Sequence, residues 1–129
     1  MALQMLYQWE IGRLSMLEIR QAFWDSADRP APEEVRAFAL GLADGVVAHV
    51  QELDPIIVDA ADNWRLERMN VVDRLVLRLA TYELLHELGT PARVVINEAL
   101  ELARTFSGDD AVRFVNGVLD AIRRTLQRE

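Results

Sequence analysis

The sequence predicts an all-α protein, one compact domain over residues 1–129 built from about seven helices. Three observations predict it. No segment alternates apolar and polar residues with the period of two that marks a half-buried strand. Apolar residues instead recur at three- and four-residue spacing, and helix-capping signals punctuate the chain from end to end. With 129 residues, 51% of them hydrophobic, the chain can bury a core without disulfides or other staples. No linker, repeat or low-complexity tract divides it.

Taken in order, "MALQMLYQWE" reads as helix from its first residue, with Leu3, Leu6 and Tyr7 on one stripe and no cap before it. Ser15 with Glu18 forms a capping box for a second helix that ends near "DSADRP". Pro32 suits the first turn of a third helix, whose face carries Val35, Phe38, Leu42, Val46 and Leu53. Gly41 and Gly45, four apart on it, would admit another backbone. "LDP" then ends this helix, Asp54 capping and Pro55 opening a fourth. "DNWRLERMN" is a short connection or a single turn, after which Asn70 and Asp73 start the next helix. Gly89 serves as its C-terminal stop, Thr90-Pro91 as the following cap, and "SGDD" as the break before the final helix.

Residues 71–88, "VVDRLVLRLATYELLHEL", carry one apolar face of Val72, Leu75, Val76, Leu79 and Tyr82 and a second of Leu77, Leu84 and Leu88. A helix apolar on two sides is a central one. Glu83 falls between Leu79 and Val76 on the first face, where an unpaired carboxylate would be very costly. It is expected to be a structural buried anion, partnered by an Arg or by the helix N-terminus after Thr90-Pro91, so that Glu83→Gln would destabilise the fold. Glu83-x-x-His86 has the spacing of half a carboxylate-bridged di-metal site, but that chemistry needs a second such pair on a facing helix. The other histidine, His49, has Val46 at the corresponding position. No metal site is expected, and His49 reads as a packed residue at the edge of an apolar face.

The formal charge of −7 argues against a simple nucleic-acid binder, because phosphate attraction supplies the sequence-independent part of such affinity. All 14 basic residues are Arg, and they are unevenly placed: residues 1–62 hold four against 11 acids, whereas residues 63–129 hold ten against ten acids. An anionic partner would favour the C-terminal half. Cysteine is absent, which excludes disulfides, thiolate metal sites and a cysteine nucleophile. There is no signal peptide or apolar run of membrane-spanning length, so the expected location is the cytoplasm. No Gly-rich phosphate loop, nucleophile elbow or zinc-protease motif is present. Asp109-Asp110, after Ser107-Gly108, is explained by helix N-terminal electrostatics. Neither an enzymatic activity nor a cofactor is expected.

The final helix is the most informative. Ala111, Phe114, Val115, Val118, Leu119, Ile122 and Leu126 form an apolar stripe, while Arg113, Asn116, Gly117, Asp120, Arg123 and Arg124 lie opposite. Gly within a helix costs about 1 kcal/mol relative to Ala, so "NG" in "RFVNGVLDAIRR" demands a use. Two stay open on sequence: close passage of a ligand or partner backbone over the polar face, or close packing of a neighbouring helix of the same chain.

The segments "ALQMLYQWE", "LRLATYELL" and "TPARVVINEALELARTFSGDDAVRFVNGVLDAI" resemble the NusB (N-utilisation substance protein B) family of bacterial transcription antitermination factors. The resemblance spans nearly the whole chain and is densest in "VVINEALELA" and "FVNGVLD"; residues 25–62 match only in helical pattern. It implies an all-helical, non-enzymatic RNA-binding protein. Its members pair with NusE, a small-subunit ribosomal protein, bind single-stranded boxA RNA in nascent ribosomal transcripts, and join the RNA polymerase antitermination complex that reads through terminators. Single strands are held by stacking on aromatics and by cations on phosphates. On this resemblance Tyr7, Asp110, Arg113, Phe114, Asn116 and Gly117 are the RNA-binding candidates, and Glu67, Asp73 and Arg74 the NusE-binding ones. The family usually carries an arginine-rich arm just before the "ALQ-LYQ" segment, which is expected to be missing from this chain by truncation. Monomer and homodimer both fit the family.

Two other readings compete. One is the RNA-binding domain that precedes the catalytic domain of some ribosomal-RNA cytosine methyltransferases, which resembles the same family. The other is a purely protein-binding helical scaffold.

Overall fold

A computed structural model describes residues 2–25, 32–62 and 64–128. Six α-helices and a 3-10 turn follow one another: α1 (Ala2–Glu10), α2 (Met16–Asp25), α3 (Glu33–Ala60), the 3-10 turn Leu66–Arg68, α4 (Val71–His86), α5 (Ala92–Phe106) and α6 (Asp109–Thr125). Among the described residues there is no strand. The all-helical expectation holds, with one helix fewer than the sequence suggested.

The missing boundary is at Pro55, because α3 runs through it without a break. Proline inside a helix costs about 3 kcal/mol. Pro55 is exposed, while Leu53 and Ile57 on either side of it are fully buried, and two such side chains together stabilise by about 3–6 kcal/mol. Burial wins. Asp54 does not cap a new helix either. Its two carboxylate oxygens accept from Arg78 Nε and Nη2 at 2.9 and 3.0 Å.

Other caps follow the sequence more closely. Ser15 and Glu18 form the reciprocal box, Glu18 N donating to Ser15 Oγ at 3.1 Å and Ser15 N to Glu18 Oε1 at 3.4 Å. Asn70 Oδ1 accepts from Val72 N at 2.9 Å and opens α4. The end of "DSADRP" lies outside the described residues. Gly89 is not in the left-handed region, and Pro91 caps α5 without help from a side chain. The loop after α4 is closed from outside: the Arg128 guanidinium donates to the Leu84 carbonyl and, at 2.6 Å, to that of Thr90. Gly108 (φ 109°) takes the left-handed backbone that turns the chain into α6.

The central helix is α4, which packs against α1, α3, α5 and α6. Leu75, Val76, Leu77, Leu79, Ala80 and Leu84 are buried on it, as the two-faced pattern requires. Leu88 falls beyond the helix end and is exposed. Gly45 serves Tyr82 of α4, whose ring stands where a Cβ at position 45 would be, whereas Gly41 faces open space. The close approach is therefore of a side chain rather than a backbone, and at one glycine of the two.

Arg78 sits in the middle of α4, buried, and joins three helices. Besides Asp54 of α3 it binds Glu10 of α1 through Nη1 at 3.0 Å. Glu10 also accepts from Arg74 Nη2 at 2.8 Å, and Arg74 Nη1 holds the Leu66 carbonyl of the 3-10 turn at 3.1 Å. Burial alone would lower the Arg78 pKa, but the Asp54 hydrogen bond and the charges of Asp54 and Glu10 outweigh it and raise it. The cation is permanent. Arg78→Ala leaves two carboxylates without their shared partner and is expected to destabilise by about 3 kcal/mol, as for breaking a buried pair from one side. Arg78→Lys should recover only a minor part, since an ammonium cannot make the bidentate contact. Urea unfolding of the three proteins checks both; a Lys variant equal to the parent would show that the fork is not needed.

Candidate nucleic-acid interface

The polar side of α6 stays uncovered. Val115, Val118, Leu119 and Ile122 are buried, with Ala111, Phe114 and Leu126 packed at their margin. On the opposite side Asp110, Arg113 and Gly117 follow at intervals of three and four, which puts them on one face, with Asn116 beside them, and all four are exposed. A Cβ at Gly117 would meet no heavy atom within 4 Å. Among the described residues no neighbouring helix occupies that space, which argues against one of the two uses the sequence left open.

The cations of this face differ from one another. Arg123 Nη2 and Arg124 Nη2 donate to the two oxygens of Asp120 at 2.9 and 2.5 Å. Their hydrogen bonds and charges, that of Arg123 foremost, hold the Asp120 carboxyl below the usual carboxylate range. Two of the three cations flanking the glycine are thus tied to an anion. Arg113 has no hydrogen-bond or ion-pair partner among the described residues.

The aromatic candidates are divided. Phe114 is half-buried against the core and shows only part of its ring, while Tyr7 is 46% exposed and so leaves the buried stripe of Leu3 and Leu6. Tyr7 belongs to α1, which packs on α2, α3 and α4. Asp110, Arg113, Asn116 and Gly117 form one patch on α6. The sequence reading missed Phe106, 55% exposed at the end of α5 and three residues before α6 begins. Its cue was the place of an aromatic directly before "SGDD".

The three partner-binding candidates do not form one free surface. Glu67 is exposed on the 3-10 turn. Asp73 is buried, with one carboxylate oxygen left without a hydrogen bond, and Arg74 is turned inward onto Glu10 and the Leu66 carbonyl. Proximity to Glu10 draws Arg74 in, so of the three only Glu67 is presented to a partner.

The profile described as the NusB family matches residues 1–124. The chain belongs to the NusB family. It is 46% identical over 125 residues to the transcription antitermination protein NusB of Solibacter usitatus, covering 97% of this chain and 85% of that protein. It superposes on T. maritima NusB with a TM-score of 0.83 at 34% identity, over 95% of this chain and 85% of the other. It also superposes, with a TM-score of 0.84 at 26% identity, on a chain in a crystal structure of the antitermination factors NusB and NusE in complex with dsRNA, over 96% and 91% of the two chains.

Glu83 of this NusB-family chain departs from the buried, partnered anion. It is half-buried at a cleft lined also by Leu3, Val35, Phe38, Leu42 and Glu98, and no hydrogen bond or ion pair engages its carboxyl among the described residues. The cleft, of about 280 Å³, has ample room for water. Val35 and Phe38, predicted to pack with Leu42 and Val46, instead stand exposed at its rim. Burial first, then the charges of Glu98 and Glu87, raise the Glu83 pKa from 4.5 to about 7.

The sign of the expected effect therefore reverses. Between pH 4.5 and about 7 the folded chain holds a proton that the unfolded chain has released, so stability from this group falls as pH rises through that window. Glu83→Gln should stabilise at pH 8 and change little at pH 4. The gain is expected at about 1 kcal/mol, well below the ~3 that linkage of the whole shift implies, because the cleft admits solvent. Chemical denaturation at the two pH values reads it, and a destabilised Gln variant at pH 8 would restore the partnered anion. Gly117→Ala, with open space around the new methyl, should stabilise the isolated protein by about 0.5–1 kcal/mol through helix propensity. Thermal melts check this, and a lowered Tm would mean that the face is covered after all.

Proposed function

We propose that residues 1–129 act as one RNA-binding helical domain of a transcription antitermination factor located in the cytoplasm. With a NusE-type small ribosomal protein it binds boxA RNA of nascent ribosomal transcripts and helps RNA polymerase read through terminators. The observation that carries the reading is the family match over residues 1–124, and the uncovered α6 face supports a place for the nucleic acid. Gly117 lets a phosphodiester backbone approach the helix closely. Arg113 supplies an uncommitted guanidinium for a phosphate, Asn116 can bond base edges, and Phe106 and Tyr7 offer faces for stacking. Asp110, in the first turn of α6, contributes acceptors rather than charge attraction.

The reading assigns no reaction to the chain. No described helix is long and apolar enough to cross a membrane. The partner surface is proposed to include Glu67, an exposed anion suited to a basic ribosomal protein; Arg74 holds the 3-10 turn through the Leu66 carbonyl.

An RNA titration with and without NusE, at two salt concentrations, tests the reading. Single-stranded boxA RNA is expected to bind weakly to the chain alone and at least tenfold more tightly with NusE. A duplex of the same sequence, included because of the dsRNA in the related complex, is expected to bind less well. Arg113→Ala should lower affinity and flatten the log–log salt slope by about 0.7, the contribution of one phosphate contact on a single strand. Gly117→Ala should weaken the complex while stabilising the free protein. No RNA binding in the presence of NusE would leave a protein-binding scaffold as the better description.

A further inference from the structure

We propose that His49 and Glu52 of α3 and His86 of α4 form a binding site for a divalent transition-metal ion of the zinc class. The site is separate from the α6 face and independent of the function proposed for it. One ligand atom from each of the three residues lies within 4.8 Å of those of the other two. His49 and Glu52 are three apart, which places them on one face of α3, and His86 is the last residue of α4.

The arrangement has the supporting contacts that a ligating histidine needs. His49 Nδ1 lies 2.7 Å from the Gly45 carbonyl oxygen, and because a carbonyl only accepts, Nδ1 is the protonated nitrogen. Nε2 is left with its lone pair free. His86 Nε2 lies 2.8 Å from Glu52 Oε1, so a proton shared between them occupies the place of the metal. On metal binding the ring proton moves to His86 Nδ1, and Nε2 and the carboxylate become ligands. The Tyr82 ring backs both imidazoles, with centroids 4.9 Å from His86 and 5.6 Å from His49. It reaches that position by crossing Gly45, which gives the glycine a second use.

Two imidazoles and one carboxylate select a borderline cation such as Zn²⁺, Co²⁺ or Ni²⁺ over Mg²⁺ or Ca²⁺, which prefer oxygen. Three protein ligands leave a fourth tetrahedral position for water. Metal–ligand bonds of 2.0–2.1 Å put tetrahedral ligand atoms about 3.3 Å apart. The set must therefore draw in by up to about 1.5 Å at His49 and open by about 0.5 Å between His86 and Glu52. Both movements are available to side chains at the surface, since the His86 and Glu52 side chains are 33% and 50% exposed. The negative end of the α4 dipole adds a local field that favours a cation. Bound there, the ion clamps the middle of α3 to the end of α4.

The sequence reading sought a partner for Glu83-x-x-His86 and found none. The structure pairs His86 with Glu52 and His49 across the helix interface, a set that no single-helix spacing reveals.

Titration of the untagged protein with Co²⁺ tests the site. The expected result is saturable 1:1 visible ligand-field absorption, removed by Zn²⁺ in competition and not by Mg²⁺. His49→Ala and His86→Ala should each lower Co²⁺ affinity by at least tenfold, and Zn²⁺ should raise the Tm of the parent but not of His86→Ala. Tyr82→Phe should bind as the parent does. Far-UV circular dichroism establishes that the variants fold; where an alanine variant loses helicity, Glu52→Gln, on an exposed side chain, carries the comparison with the same expected loss. Absence of 1:1 absorption, or affinity unchanged in the folded variants, overturns the proposal.

Discussion

A permanent cation buried in the middle of the central helix sets the terms for the elements around it. Arg78 cannot shed its charge, so α4 can be enclosed only if anions arrive from the enclosing helices. Asp54 comes from α3 and Glu10 from the last turn of α1. Isolated ion pairs at a surface contribute little. Here a bidentate fork and a carboxylate shared between two arginines fix the relative positions of three helices, which apolar packing, being non-directional, does not.

The same interaction accounts for irregularities that lie apart in the chain. Asp54, drawn to Arg78, does not serve as a cap for a separate helix after it. Glu10, shared with Arg74, pulls that arginine inward, and Arg74 in turn holds the carbonyl of Leu66 and anchors the 3-10 turn. Thus "RLERMNVVDR", which reads in sequence as a short connection and the start of a helix, is partly interior. Helix α6 has no such demand upon it. It buries one stripe against α4 and α5 and leaves the other side to solvent, which is the condition for presenting a bare glycine and a free guanidinium.

The sequence was most readable where local physics decides. Period, the Ser15 capping box, the Asn70 cap and the apolar stripe of α6 depend on residues within one or two turns, and each stands in the structure. The reading failed where the partner lies far along the chain. Gly45 waits on Tyr82, 37 positions away; Asp54 waits on Arg78, 24 away; Glu52 meets His86, 34 away. Glu83 shows a different limit. Its apolar neighbours in sequence implied full burial and hence a counter-charge, but the rim residues Val35 and Phe38 do not close over it. Solvent and a raised pKa take the place of a partner.

Charge distribution joins the fold to the proposed role. The chain carries −7 overall, and several of its arginines are engaged: Arg74 and Arg78 inside, Arg123 and Arg124 on Asp120, Arg128 on the carbonyls that close α4. A polyanion approaching such a protein gains little from the long-range field. It must be held by a few local contacts around Arg113 or by cations that a second protein brings. An acidic body favours a basic partner on the same grounds that it disfavours RNA. The proposed two-protein recognition unit fits these electrostatics: in it this chain would supply shape, stacking faces and an approachable helix, and its partner much of the positive charge.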